Sequence, residues 1–167
     1  IVNGLVGSEM CIRDSLGAVA DGRFELVAAA FDHRPAKGKA FAESLGIDTD
    51  RAYGSWAEML FGEQNREDPI DLVTIATPNA THFEITKSFL EAGFNVLCEK
   101  PMTMTVDEGE EIYKISQKSG RVFSVNYCYS AYPMVRQARA MVRSGDIGKL
   151  RLIITNFSHG HLSLIHI

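Results

Sequence analysis

The chain has 167 residues, of which 17 are Lys or Arg and 21 are Asp or Glu, for a formal net charge of -4. That length suits one domain with its own core and is short for two. The dispersed charge has no basic stripe for a phosphate backbone, and no apolar run approaches the roughly 20 residues that cross a bilayer, so neither nucleic acid nor a membrane is expected as a partner.

No charged segment followed by an apolar stretch and a cleavage site opens the chain, and Cys11, Cys98 and Cys128 are odd in number and far apart. Reduced thiols in a cytoplasmic protein are the expectation, with neither a disulfide framework nor a metal site. Residues 1–15 show no clean period of 2 or 3.6, and VGSEMCIRDS within them resembles translated sequencing-adapter read-through, as does the tail LSLIHI at 162–167. Both segments are therefore expected to be non-native, which would leave the sheet without its first strand. The alternative is that IVNGLVG is a genuine first strand with a divergent turn, because Gly4 and Gly7 imitate part of G-x-G-x-x-G.

FELVAAAF, Phe24 to Phe31, is a continuous apolar run that predicts a strand buried on both faces of a parallel sheet. Pro35 suits a first helical turn, Ala36 to Leu45 carries the helix, and Gly46 offers a left-handed stop. A short strand near Ala52 and Tyr53 precedes Ser55, which with Glu58 forms a capping box for a helix to about Phe61. DLVTIATP predicts the next strand, Thr81 to Ala92 a helix stopped by Gly93, and Phe94 to Cys98 another strand. Thr105 and Glu108 form a second capping box, Gly120 ends that helix, VFSVNY makes one more strand, and Pro133 opens a last helix to about Arg143. Strands alternating with helices imply an α/β doubly wound, mostly parallel, Rossmann-like sheet over residues 16–148. LRLIITNF, Leu150 to Phe157, is expected to be the first strand of a second, truncated α/β domain beginning at 149–161.

In a doubly wound sheet, ligands sit outside the carboxyl ends of the strands, so the residues just after each apolar run are the informative ones. Asp32 ends one strand and can accept both ribose hydroxyls of an adenosine, which favours NAD. Arg34 and Lys37 follow closely and could instead meet the extra phosphate of NADP. A purely structural role for Asp32 is helix capping before Pro35. Thr77, Pro78, Asn79 and His82 follow a second strand, Glu99, Lys100 and Pro101 a third, and Tyr127 and Tyr129 a fourth. Trp56, Met59 and Leu60 have helical spacing and read as core.

TPNATH, EAGFNVLCEKPMTMTVDE and NYCYSAYPMVRQAR, in this order and spacing, resemble the Gfo/Idh/MocA oxidoreductases. That resemblance implies a Rossmann domain, a further domain with an open, mainly antiparallel sheet, and hydride transfer between a nicotinamide and a sugar, polyol or related secondary alcohol. It implies that Thr77, Pro78 and Asn79 pass along the nicotinamide side of NAD or NADP, with His82 in the same loop; the structural alternative for His82 is a histidine that satisfies the start of the next helix. It further implies that Glu99 binds the nicotinamide ribose, that Lys100 is catalytic and touches both ribose and substrate hydroxyl, and that Tyr127 lies near the carboxamide. The intact protein is expected to be a homo-oligomer. The Gly-rich turn is unrecognisable and the second domain is missing beyond its first strand, so the chain by itself is expected to bind NAD weakly and to be inactive. A non-catalytic dinucleotide sensor and a reductase of another Rossmann lineage are the competing readings.

Overall fold

The computed structural model describes residues 2–7, 20 and 22–156. The chain divides into two compact units, 1–127 and 128–167. In the first, five strands form one sheet: β1 (Val2–Gly7), β2 (Glu25–Ala30), β3 (Leu72–Ala76), β4 (Asn95–Glu99) and β5 (Phe123–Asn126). Their order is β2-β1-β3-β4-β5 and every pairing is parallel. Ala52 adds a single parallel rung to Ala29 on the outer side of β2, which is what remains of the short strand expected there. The fold is Rossmann-like α/β, as the alternation of strand and helix patterns predicts.

The sheet does have its first strand, which corrects the expectation that it would be incomplete. Val2–Gly7 lies between β2 and β3, with Leu5 opposite Ala29 and Thr74. Leu5 and Val6 are 0% and 2% exposed. Six residues with no visible period suffice because a strand buried on both faces needs no polar alternation. The Gly-rich turn that would follow, at residues 8–15, lies outside the described residues.

Side chains of period 2 divide the core. Val6, Ala28, Ala30, Val73, Ile75, Val96 and Cys98 point to one face, where α2 (Trp56–Gln64), α3 (His82–Glu91) and α4 (Val106–Ser119) cover them through Met59, Ile85, Phe89, Leu90 and Ile112. Leu5, Ala29 and Phe31 point to the other, against Ala42 of α1 (Pro35–Ser44) and Ile47. Each fully buried large side chain contributes about 1.5–3 kcal/mol relative to exposure. Phe89 meets Phe94 edge to face at 5.8 Å, and Phe31 meets Phe41 likewise at 5.0 Å.

The helix ends obey local chemistry. Thr105 Oγ1 accepts from the Glu108 amide while the Glu108 carboxylate accepts from the Thr105 amide, a complete capping box. At α2 only half of the box forms. Ser55 Oγ accepts from the Glu58 amide, but Glu58 Oε2 takes the amide of Gly54 at 2.9 Å. Gly120 ends α4 at φ +66°, where a side chain would be strained.

One cluster was not legible beforehand. Glu63 is 0% exposed and accepts from Arg51 Nη2 at 2.6 Å, Arg51 Nε at 3.1 Å, the Tyr53 hydroxyl at 2.9 Å and the Ile70 amide at 3.0 Å. It ties α2 to the segment bearing the Ala52 rung and to the entry of β3.

The second unit contains a 3₁₀ turn (Cys128–Ala131) and α5 (Pro133–Ser144), which ends at Gly145 with φ +82°. The strand expected from Leu150 is absent: residues 151–156 have no regular secondary structure. A β-strand is stabilised by its ladder partner, and Leu152, Ile153 and Ile154 have none among the described residues.

Candidate functional site

β1 connects towards β2 on one side and β3 lies on its other side, so the sheet reverses its strand order between β1 and β3. Crevices form at the carboxyl ends of strands flanking such a reversal. A cavity of about 690 Å³ opens there, bounded by Val6 and Gly7 from the end of β1, Asp32 beyond β2, Trp56 at the start of α2, and Thr77 and Pro78 beyond β3.

Asp32 is the charged acceptor on its wall. Its carboxylate takes the Arg34 amide at 3.0 Å and Arg34 Nε and Nη2 at 3.0 Å each. Lys37 Nζ stands 3.4 Å away and His33 Nδ1 3.1 Å away. The Arg34 hydrogen bonds, chiefly those of its side chain, hold the carboxyl well below the usual carboxylate range, so Asp32 is an anion at any working pH. Asp32 does not cap α1: that position is Arg34, with no side-chain capping bond. The helix instead comes close to the strand end through Gly38, where a Cβ would stand 3.3 Å from the Asp32 amide nitrogen. An anionic acceptor suits a vicinal diol, and the cations beside it suit a phosphate.

The loop after β3 is a 3₁₀ turn, Asn79–Thr81. Thr81 Oγ1 lies 2.8 Å from both Thr77 Oγ1 and the Pro78 carbonyl, which fixes the turn internally. Thr77 and Pro78 face the cavity, whereas Asn79 is exposed and does not line it. His82 has the geometry of its structural alternative. It is 0% exposed, with Nδ1 2.7 Å from the Pro101 carbonyl and Nε2 2.9 Å from the Thr77 carbonyl. Both ring nitrogens are committed to the backbone, which leaves neither for a ligand.

Glu99 ends β4, and register sets it opposite Asn126 at the end of β5. Asn126 Nδ2 donates to Glu99 Oε1, while Glu99 Oε2 takes the Lys100 amide at 3.1 Å. The carboxylate is thus aimed by two neighbours, and the Lys100 side chain is exposed beyond it. The Lys100–Pro101 peptide is cis. Tyr127 lines a different cavity, of about 550 Å³, with Met102, Met104, Val106 and Tyr113.

The structure therefore gathers Asp32, Arg34, Thr77 and Pro78 around one cavity and puts Glu99 and Lys100 at the same end of the parallel sheet. Asn126 escaped the sequence reading, although the rule that singled out Asp32, a polar residue closing an apolar strand, applies to it equally. His33 and Trp56 escaped it too. Trp56 touches the core and lines the cavity at once, which helical spacing cannot reveal. Among the described residues no group of three or more His, Cys, Asp or Glu could hold a metal, and no helix is long and apolar enough to cross a membrane.

Residues 2–127 match the Gfo/Idh/MocA family profile, described as an oxidoreductase family with an NAD-binding Rossmann fold. The chain belongs to this family. Among Gfo/Idh/MocA relatives it is 42% identical over 154 residues to the uncharacterized oxidoreductase YfiI of Bacillus subtilis, covering 92% of this chain and 39% of that protein. It is 30% identical to a D-xylose 1-dehydrogenase (NADP(+)) of Haloferax volcanii, covering 93% of this chain and 45% of the relative. An inositol dehydrogenase homolog from Azotobacter vinelandii, crystallised with NADH and myo-inositol, superposes with a TM-score of 0.86 at 39% identity, covering 90% of this chain and 41% of that one. The chain spans less than half the length of each of these proteins.

Proposed function

We propose that this chain is the dinucleotide-binding part of an NAD(P)-dependent oxidoreductase that moves a hydride to or from a hydroxyl-bearing carbon of a sugar, polyol or related secondary alcohol. The observation that carries this reading is the cavity of about 690 Å³ at the reversal of strand order, with the Asp32 carboxylate on its wall. The residues fit the group. A permanently ionised carboxylate at the end of β2 accepts the ribose hydroxyls, and its charge favours NAD over the phosphorylated cofactor. Arg34 and Lys37 moderate that preference, in keeping with NADP(+) in the name of the Haloferax volcanii relative.

Bound nicotinamide supplies the hydride acceptor or donor. Thr77 and Pro78 bound its side of the crevice, and exposed Asn79 follows them in the same loop. Glu99, aimed by Asn126 and the Lys100 amide, accepts from the nicotinamide ribose. Lys100 holds the substrate hydroxyl: as an amine it takes the hydroxyl proton, and as an ammonium it stabilises the developing alkoxide. Tyr127 lines the separate cavity of about 550 Å³, and only the family resemblance assigns it to the carboxamide. Catalysis is proposed for the whole protein, acting in the cytoplasm, where this coenzyme is supplied, and as a homo-oligomer.

Calorimetric titration of the whole protein with NADH and NADPH tests the reading. Asp32→Ala should weaken NADH at least about tenfold while weakening NADPH less, because it removes an acceptor from one and a repulsion from the other. Equal affinity of wild type and variant for NADH would remove Asp32, and with it the cavity, from the function.

A further inference from the structure

We infer that His82 is a positioning residue, a two-sided clasp that holds the Thr77 loop and the Lys100–Pro101 turn together through the backbone carbonyls of Thr77 and Pro101. These segments follow different strands, β3 and β4, and carry the residues assigned above to the nicotinamide side of the crevice. No described side-chain hydrogen bond or ion pair other than those of His82 joins residues 77–81 to residues 99–104. The ring is 0% exposed and lies 2.7 Å and 2.9 Å from the two oxygens.

Carbonyl oxygens only accept, so the ring meets each of them through a nitrogen, and which nitrogen donates depends on the tautomer. The surroundings also hold the ring in place. Thr81 pins the turn on one side, and on the other Gly109 lets α4 approach the 101–104 segment so closely that a Cβ would stand 2.9 Å from Met102 Cε. The clasp thereby sets the spacing between Thr77 and Lys100. What those loops hold rests on the function proposed above; the clasp itself does not.

The test reads the chain without cofactor. Asn carries its amide nitrogen near the place of Nδ1 and Gln near that of Nε2, so each variant keeps one half of the clasp. In carbonyl-labelled chain, His82→Asn should move the Thr77 carbonyl ¹³C signal and spare that of Pro101, and His82→Gln should do the reverse. In the wild-type chain, the His82 ring protons should show Overhauser contacts to residues of both the Thr77 and the Lys100–Pro101 segments, a readout that needs no variant to fold. Carbonyl signals that ignore both substitutions, or a ring without Overhauser contacts to one of the two segments, would overturn the two-sided clasp. In the whole protein both variants should weaken NADH about tenfold by loss of preorganisation. If wild type bound no NADH while the ring and carbonyl signals behaved as stated, the proposed function would fail and the clasp would stand.

Discussion

The buried pair Arg51–Glu63 offers a test of the fold in which the magnitude follows from the contacts. Glu63→Ala removes a carboxylate that accepts four hydrogen bonds from three residues and leaves the Arg51 guanidinium, 8% exposed, with Asp68 as its remaining partner among the described residues: its Oδ2 at 3.4 Å and its carbonyl at 3.2 Å. The Ile70 amide and the Tyr53 hydroxyl lose their acceptor as well. Breaking a buried pair from one side costs about 3–5 kcal/mol, because the charge left behind loses its buried counter-ion, and Asp68, at 3.4 Å and 67% exposed, replaces little of it. Native proteins hold only about 5–15 kcal/mol in all. With a urea slope of about 2 kcal/mol per M, the unfolding midpoint should fall by about 1.5–2.5 M. Trp56 is the only tryptophan of the chain and sits at the start of the helix bearing Glu63, so its fluorescence reports the loss directly. Arg51→Met combined with Glu63→Leu should recover much of it, since apolar residues of similar volume replace such pairs at little cost. A midpoint shift below about 0.3 M for Glu63→Ala would refute the reasoning, because the pair would then behave like an exposed one, of about 0–1 kcal/mol.

Leu5→Ala should destabilise the chain by about 2–5 kcal/mol in the same urea assay if Val2–Gly7 is a core strand; a cost near zero would return those residues to the status of an appendage. In the whole protein, Lys100→Met should lower kcat by about 10² or more with little change in NADH affinity, and stopped-flow hydride transfer at the wild-type rate would exclude Lys100 from the mechanism. Burial pushes the Cys98 thiol from 9.0 up to about 11, and burial with the Glu63 hydrogen bond pushes the Tyr53 hydroxyl from 10.0 up to about 12. The native chain then keeps protons that the unfolded chain has released. Stability should be intact below pH 9 and decline from pH 9 to 12. Cys98→Ala should flatten the first part of that decline in urea midpoints measured against pH, and an unchanged slope would count against burial as its cause.

Four of the five strands, the helices and most of the candidate site were legible in the amino-acid sequence because their causes are local. Apolar runs such as LVAAA and LVTIA announce strands buried on both faces, Thr105 with Glu108 announces a helix start, and a polar residue closing a strand lies by topology at the crevice. Asp32, Thr77, Glu99 and Lys100 were placed at the strand ends in that way. Tertiary structure decided what depends on partners distant in the chain. Val2–Gly7 lacks a period of its own and is a strand because β2 and β3 pair with both of its edges, whereas Leu152 to Ile154 read as a strand and have no ladder partner among the described residues. His82 read equally as a ligand contact or a structural histidine, and Pro101, nineteen positions away, favours the second by taking one of its ring nitrogens. Asn126 and Glu99 meet across a parallel ladder, and Arg51 and Glu63 across twelve residues of chain. A hydrogen bond needs its donor and acceptor about 3 Å apart, and only the packed chain brings such pairs to that distance.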